Sequence, residues 1–207
     1  METPTSSRRD VLVKGAAAGL TGVLGMVAIA RPSMAATDQE KDAAILNAAI
    51  DLENQAIWAY GVAGGKLSST DVGKTILALA LRNQADHKKH RDALAAVVKS
   101  LGKTPAPAKQ SYDLSTYIKA GEGNLDSDAN IGKLALALEI DAVLAYGDAF
   151  SKLKTPAILA AAGTIAPDEA AHATAIRAVF KTLIPSLEYV PAAFISADTR
   201  KDWVLKV

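Results

Sequence analysis

LENQAIWAYG at Leu52–Gly61 and LEIDAVLAYG at Leu138–Gly147 share Leu, Glu, Ala, Ala, Tyr and Gly in step while the positions between them drift. Each decapeptide sets a carboxylate, Glu53 or Glu139, among mostly apolar neighbours of helical spacing. A carboxylate in such a place is costly to bury unless it is paired or bound to a metal. Tyr60 and Tyr146 lie seven residues further on, two helical turns, and so on the same face as their glutamates.

Working outward, apolar residues recur at helical spacing through 43–62, 72–101, 131–153 and 157–183, which predicts four long helices. Gly64-Gly65 ends the first, and Ser68, Ser69, Thr70 and Asp71 supply capping residues for the second. The stretch 103–123 holds Pro105, Pro107, Gly121 and Gly123, too many breakers for one regular helix. Only 152–156 separate the third helix from the fourth, with Pro156 suited to a first helical turn. Two short connections flanking one long one predict an all-α four-helix bundle, two antiparallel hairpins joined by a crossover between helices 2 and 3. Pro167 should kink or restart the fourth helix. Residues 186–207 read as an irregular tail, so the expected division is 1–35, 36–185 and 186–207.

Composition narrows the chemistry. The 207 residues are 50% hydrophobic and 22% charged, enough for one buried core. The formal charge of +1 provides no field to attract nucleic acid. Cysteine is absent, which removes disulfides, thiolate ligands and thiol nucleophiles, so any metal must be held by histidine and carboxylates. At the N-terminus, Ser7-Arg8-Arg9-Asp10 precedes a Gly/Ala-rich apolar run over 15–30 and then Ser33-Met34-Ala35. This resembles a twin-arginine export signal, which implies a periplasmic or otherwise exported protein. The run is too short for a comfortable span, so no stable membrane anchor is expected after the signal is removed.

Counting forward from the two glutamates gives Gln84 after 31 residues and Glu169 after 30, with His87 and His172 three residues beyond each. The halves therefore align as LE…QADH and LE…EAAH, a duplicated helical hairpin. Residues at i and i+3 share a helix face, and antiparallel helices would bring all four sets to one level near mid-length. One Glu from each of two helices and Glu-x-x-His from the other two is the ligand set of dinuclear carboxylate bundles.

On these motifs the chain resembles the ferritin-like superfamily over 42–183, and more narrowly exported ferritin-like proteins related to rubrerythrin and bacterioferritin. The resemblance implies one or two Fe or Mn ions held by Glu53, Gln84, His87, Glu139, Glu169 and His172, with redox chemistry such as ferroxidation or peroxide reduction. It implies that Tyr60 and Tyr146 lie beside the metal as hydrogen-bond donors or electron donors; the alternative is two core tyrosines. Gln84 departs from the pattern, standing where a Glu is expected, so the site reads as dinuclear and weakened, mononuclear or remodelled. His90, three residues beyond His87, is a further candidate ligand. Metal ions are the expected partners, and a homo-oligomer is compatible with the bundle. The competing reading is a non-catalytic, stress-protective or partner-binding bundle whose buried Glu and His form a metal-free cluster.

Overall fold

The computed structural model describes residues 36–207, and the expected twin-arginine signal over 1–35 lies outside them. The chain forms α1 (Ala36–Gly64), α2 (Asp71–Ser100), α3 (Ser115–Lys119), α4 (Asp128–Lys152), α5 (Pro156–Leu183) and α6 (Arg200–Trp203). α1, α2, α4 and α5 are the four long helices of the bundle, and α3 is a single turn within the crossover. The described residues contain no strand, and none of their helices is long and apolar enough to cross a membrane.

The helix starts are fixed by side chains that also tie the two hairpins together. The Thr70 hydroxyl caps α2 by accepting from the Gly73 N–H at 3.1 Å, and the Ser127 hydroxyl caps α4 by accepting from the Asn130 N–H. Asp128, at the start of α4, accepts from the Ser68 N–H at 2.8 Å and from the Ser68 and Thr70 hydroxyls in the α1–α2 turn. Asp42, near the start of α1, does the same for the α4–α5 turn, accepting from the N–H groups of Lys154 at 2.8 Å and Thr155 at 3.0 Å. Each aspartate stands eleven residues before its glutamate, Glu53 or Glu139. The duplication is thus longer than the decapeptide, and each half caps the turn of the other.

Pro156 sits in the first turn of α5. The helix continues through Pro167 without the expected restart. Both Pro167 and Gly163, whose carbonyl loses its donor, are exposed, so water can replace the missing bond.

Apolar layers close the bundle on both sides of its middle. Leu46, Ile50, Leu94, Val97, Val98, Leu153, Ile158 and Ile165 fill one end. Leu136, Ala137, Ile140, Ala173, Ile176 and Phe180 fill the other, with Trp203 and Val204 from the tail. The crossover presses on α4 where Gly123 has φ +113°, and a Cβ there would stand 2.3 Å from the Leu134 nitrogen. Between the apolar layers lies the polar cluster described below.

The segment 186–207 is less irregular than its sequence suggests. Arg200 on α6 donates two bonds of 2.7 Å to the carboxylate of Glu122 in the crossover and two more to Asp141 on α4. Lys206 reaches Glu122 at 2.9 Å, and buried Arg177 donates to the carbonyls of Glu188 and Trp203. The tail is therefore a strap across the crossover and the second hairpin. The Arg200 guanidinium holds the Glu122 carboxyl down at about 2, against burial and with help from Lys206. A depressed carboxyl pKa stabilises the fold fully above the unfolded value of 4.5, and that contribution fades as pH falls towards 2. We expect Glu122→Gln to cost about 2–3 kcal/mol at pH 7, since it leaves Arg200 one carboxylate short in a half-buried place. Urea melts of both proteins check this, with the gap between their midpoints closing between pH 4.5 and about 2.

Candidate metal centre

The repeated glutamates and tyrosines meet crosswise. Tyr146 on α4 donates to Glu53 Oε1 on α1 at 2.5 Å, and Tyr60 on α1 donates to Glu139 Oε1 on α4. This exchange requires α1 and α4 to run antiparallel and to cross between each Glu and its Tyr. All four side chains are buried. Asn83 on α2 is buried beside them and donates to the Tyr60 hydroxyl at 3.1 Å and to Glu139 Oε1 at 3.3 Å.

The opposite walls of the cluster come from α2 and α5. His87 lies between the two halves: its Nδ1 is 2.8 Å from Glu53 Oε2 and its Nε2 is 3.3 Å from Glu139 Oε1. Glu169 is placed in the same way, with Oε1 2.9 Å from His90 Nδ1 and Oε2 3.5 Å from His172 Nδ1. Two quartets result, Glu53, His87, His90 and Glu169, and His87, Glu139, Glu169 and His172. In each, one ligand atom per residue lies within 4.8 Å of all the others. His87 and Glu169 belong to both.

The duplicated hairpins, the single crossover and this mid-bundle cluster together define a fold family. The sequence model of the ferritin-like domain matches residues 41–182, which spans all four long helices and the whole cluster. The chain belongs to the ferritin-like domain family. It is also similar to the crystal structure of a conserved hypothetical protein, rv2844, from Mycobacterium tuberculosis. The TM-score is 0.58 at 23% identity, over 76% of this chain and 99% of that one, which supports the fold alone. No curated protein matches the chain.

This ferritin-like cluster has the chemistry of a cation site. Glu139 Oε2, Glu169 Oε2 and both ring nitrogens of His172 are buried without a hydrogen-bond partner. Three carboxylates in an apolar core demand compensating positive charge. In the metal-free chain the imidazoles provide it. Burial opposes charge on the His87 ring, yet Glu139, Glu53 and Glu169 outweigh it and push its pKa up to about 11. His172 is pushed up to about 10 by Glu139 and Glu169, again against burial, and His90 is raised by Glu169 and Glu53. Glu139 is held well below the usual carboxylate range, because His87 and His172 overcome its burial. Burial raises Glu169. Tyr60 and Tyr146 are raised by burial and by Glu139 and Glu53 respectively, so both remain hydroxyl donors. A bound metal would take the place of protons here, since imidazole ligates only when neutral.

The structure therefore brings together Glu53, His87, Glu139, Glu169, His172, Tyr60 and Tyr146. Gln84 is a correction. Its Nε2 donates to the Ile57 carbonyl at 2.8 Å and its Oε1 accepts from Lys88 at 3.0 Å, so both ends of the amide are engaged outside the cluster. The helix α2 motif that faces Glu169-x-x-His172 is His87-x-x-His90, one helical turn beyond the spacing expected from the other hairpin. The α1–α2 turn, 65–70, is longer than 153–155, but most of the difference lies within the second helices: His87 stands sixteen residues after Asp71, whereas Glu169 stands thirteen after Pro156. His90, Asn83, Asp86 and Asp168 are the polar residues of this region that the QADH register left unassigned or secondary.

Two substitutions separate these roles. Glu53→Ala removes the carboxylate from the His87 ring and the Tyr146 hydroxyl together, and should cost the metal-free chain about 3–5 kcal/mol. Gln84→Ala should cost no more than about 1 kcal/mol, the value of one half-buried hydrogen bond. Urea unfolding of the two variants in the presence of chelator measures both.

Proposed function

We propose that this ferritin-like protein is an exported redox metalloprotein that holds two Fe or Mn ions in its bundle core and oxidises Fe(II) or reduces peroxide there. The observation that carries the reading is the pair of overlapping quartets sharing His87 and Glu169, with buried carboxylate and imidazole atoms that lack any other partner. Oxygen and imidazole donors without thiolate suit Fe and Mn in the divalent state. The ions would supply one-electron changes between divalent and trivalent forms.

The chain's own residues divide the remaining work. Glu53 and His90 would hold one ion and Glu139 and His172 the other, while Glu169 directs one oxygen to each half. Tyr146 and Tyr60 fix the orientation of Glu53 and Glu139 by donating to one oxygen of each. Both tyrosines line a cavity of about 40 Å³ between α1 and α4, with Leu52, Ala56, Leu138 and Ala142 as apolar walls and His87 beside the glutamates. A cavity of that size admits a molecule on the scale of water, dioxygen or peroxide and excludes a bulky organic substrate. Export is supported by the Ser7-Arg8-Arg9 leader and by the ability of that route to carry a chain already folded around its metal.

A second reading has its own observation. The raised imidazole pKa values let protons balance the carboxylates, and Leu183, Ile184, Tyr189, Val190 and Phe194 expose apolar surface around the tail. A metal-free, partner-binding bundle would use that surface and leave the cluster as structure.

Metal analysis decides between them. Protein purified without chelator, or reconstituted with Fe(II) or Mn(II), should carry close to two equivalents, and Glu169→Ala should lose at least one of them. Less than about a tenth of an equivalent, unchanged by reconstitution, would eliminate the metal reading. Binding should also raise the melting temperature, since metal at a hundredfold excess over Kd stabilises the native state by about 2.7 kcal/mol.

A further inference from the structure

His172 is the one histidine of the three whose ring nitrogens both lack a hydrogen-bond partner. Its Nδ1 faces the shared centre, 3.4 Å from Glu139 Oε2 and 3.5 Å from Glu169 Oε2. Its Nε2 faces the other way, 3.6 Å from Asp86 Oδ2 and 3.5 Å from Asp168 Oδ2. Hydrogen bonds are shorter than these separations. Ligand atoms around one ion come within a few tenths of an ångström of those separations: at bonds of about 2.1 Å, two atoms spread by roughly 90–110° stand about 3.0–3.4 Å apart. The ring thus separates two gaps of similar shape, each bordered by two carboxylates, and only the inner one belongs to the quartets.

We propose that Asp86, Asp168 and Nε2 of His172 form an outer cation position through which a divalent transition-metal ion reaches the core. The inference rests on the metal-binding reading above. Ligand atoms of these three residues lie within 4.8 Å of one another. Exposure is graded across them: the Asp168 side chain is 42% exposed, Asp86 9% and His172 7%. The position therefore lies where the buried cluster meets water. Asp168 is held there by His90, whose Nε2 is 3.1 Å away. Arg82 and Lys89 neutralise Asp86 in the unloaded chain, and both are largely exposed. They can swing into water at little cost when a divalent ion replaces them.

The chemistry of the ring makes this a loading position rather than a permanent third site. A neutral imidazole offers one lone pair, on whichever nitrogen lacks the proton. With Nε2 on the outer ion, Nδ1 carries the proton. With Nδ1 on the inner ion, the proton sits on Nε2, beside Asp168 and Asp86. His172 therefore serves the outer gap first and the inner gap second, and it changes tautomer between them.

Stopped-flow mixing with Co(II), followed by its visible absorption, tests this on the full chain. The wild type should show a fast, saturable phase followed by slower filling of the core. Asp168→Asn and Asp86→Asn should each lose the fast phase and fill about tenfold more slowly, while Asp168→Glu restores the phase. Asparagine at 168 still accepts from His90, so a merely structural role for Asp168 would leave the kinetics unchanged. Variants that fill as fast as the wild type, with the same phases, overturn the outer position alone. A wild type that takes up no Co(II) overturns the metal reading and this inference together. Circular dichroism melts confirm that the variants compared are folded.

Discussion

Three carboxylates buried at mid-bundle dominate this molecule. Glu53, Glu139 and Glu169 are each no more than 2% exposed, with apolar layers on both sides. Negative charge so placed requires a cation within a few ångströms, or the fold would be destabilised by far more than a domain's net stability. Three imidazoles stand at the required distance and protons can supply that charge. The same arrangement, with the protons removed, is a set of oxygen and nitrogen donors converging on two shared points. Charge balance in the fold and any metal binding therefore draw on one set of side chains.

The duplication is what makes such convergence achievable. Asp42 and Asp128 each cap the other half's interhelical turn, and Tyr60 and Tyr146 each bond the other half's glutamate. Each hairpin alone would leave its aspartate without those turn donors and its tyrosine hydroxyl without its carboxylate acceptor. Exchange of contacts at the turn and at the core fixes both the axial register and the rotation of α1 against α4, to the tolerance of a hydrogen bond. Carboxylates positioned only by apolar contact would lack that directional restraint.

How much of this was legible in the sequence follows from the period of each signal. Helical spacing and connection lengths carried the four long helices and the crossover, because breakers such as Gly64-Gly65 and Pro105 mark real ends. The decapeptide repeat located Glu53, Glu139, Tyr60 and Tyr146, since both halves keep them at equal offsets within one continuous helix. Offsets across a turn are less secure. The two hairpins differ in turn length and in how far along the second helix the bundle's middle falls, so counting from Glu53 as from Glu139 pairs His87 with Gln84, whereas the structure pairs it with His90. The cross-bonding of tyrosine to the opposite glutamate was unreadable for another reason: it depends on where α1 and α4 cross. The tail's strap likewise depends on Arg200 meeting Glu122 and Asp141, residues far apart along the chain with no periodic relation.

The corrected register changes the character of the centre. Where Glu169 offers two oxygens to the two halves, its counterpart on α2 is His87, a ring whose nitrogens face Glu53 and Glu139 separately. A neutral ring contributes no charge, so the core presents three negative ligands instead of four, and two divalent ions would more than balance them. The two faces of the centre then differ in kind. The α1–α4 face is narrow and mainly apolar, with Tyr60, Tyr146, Gln55 and Asp141 also in its lining, and on the proposed reading would admit a small neutral oxidant. The α2–α5 face carries Asp86, Asp168 and the outer edges of His90 and His172, and is suited to cations. On the metal reading proposed above, separate approaches for cation and oxidant would follow from the imidazole of His87 in place of a carboxylate together with the two aspartates on the outer side of His172.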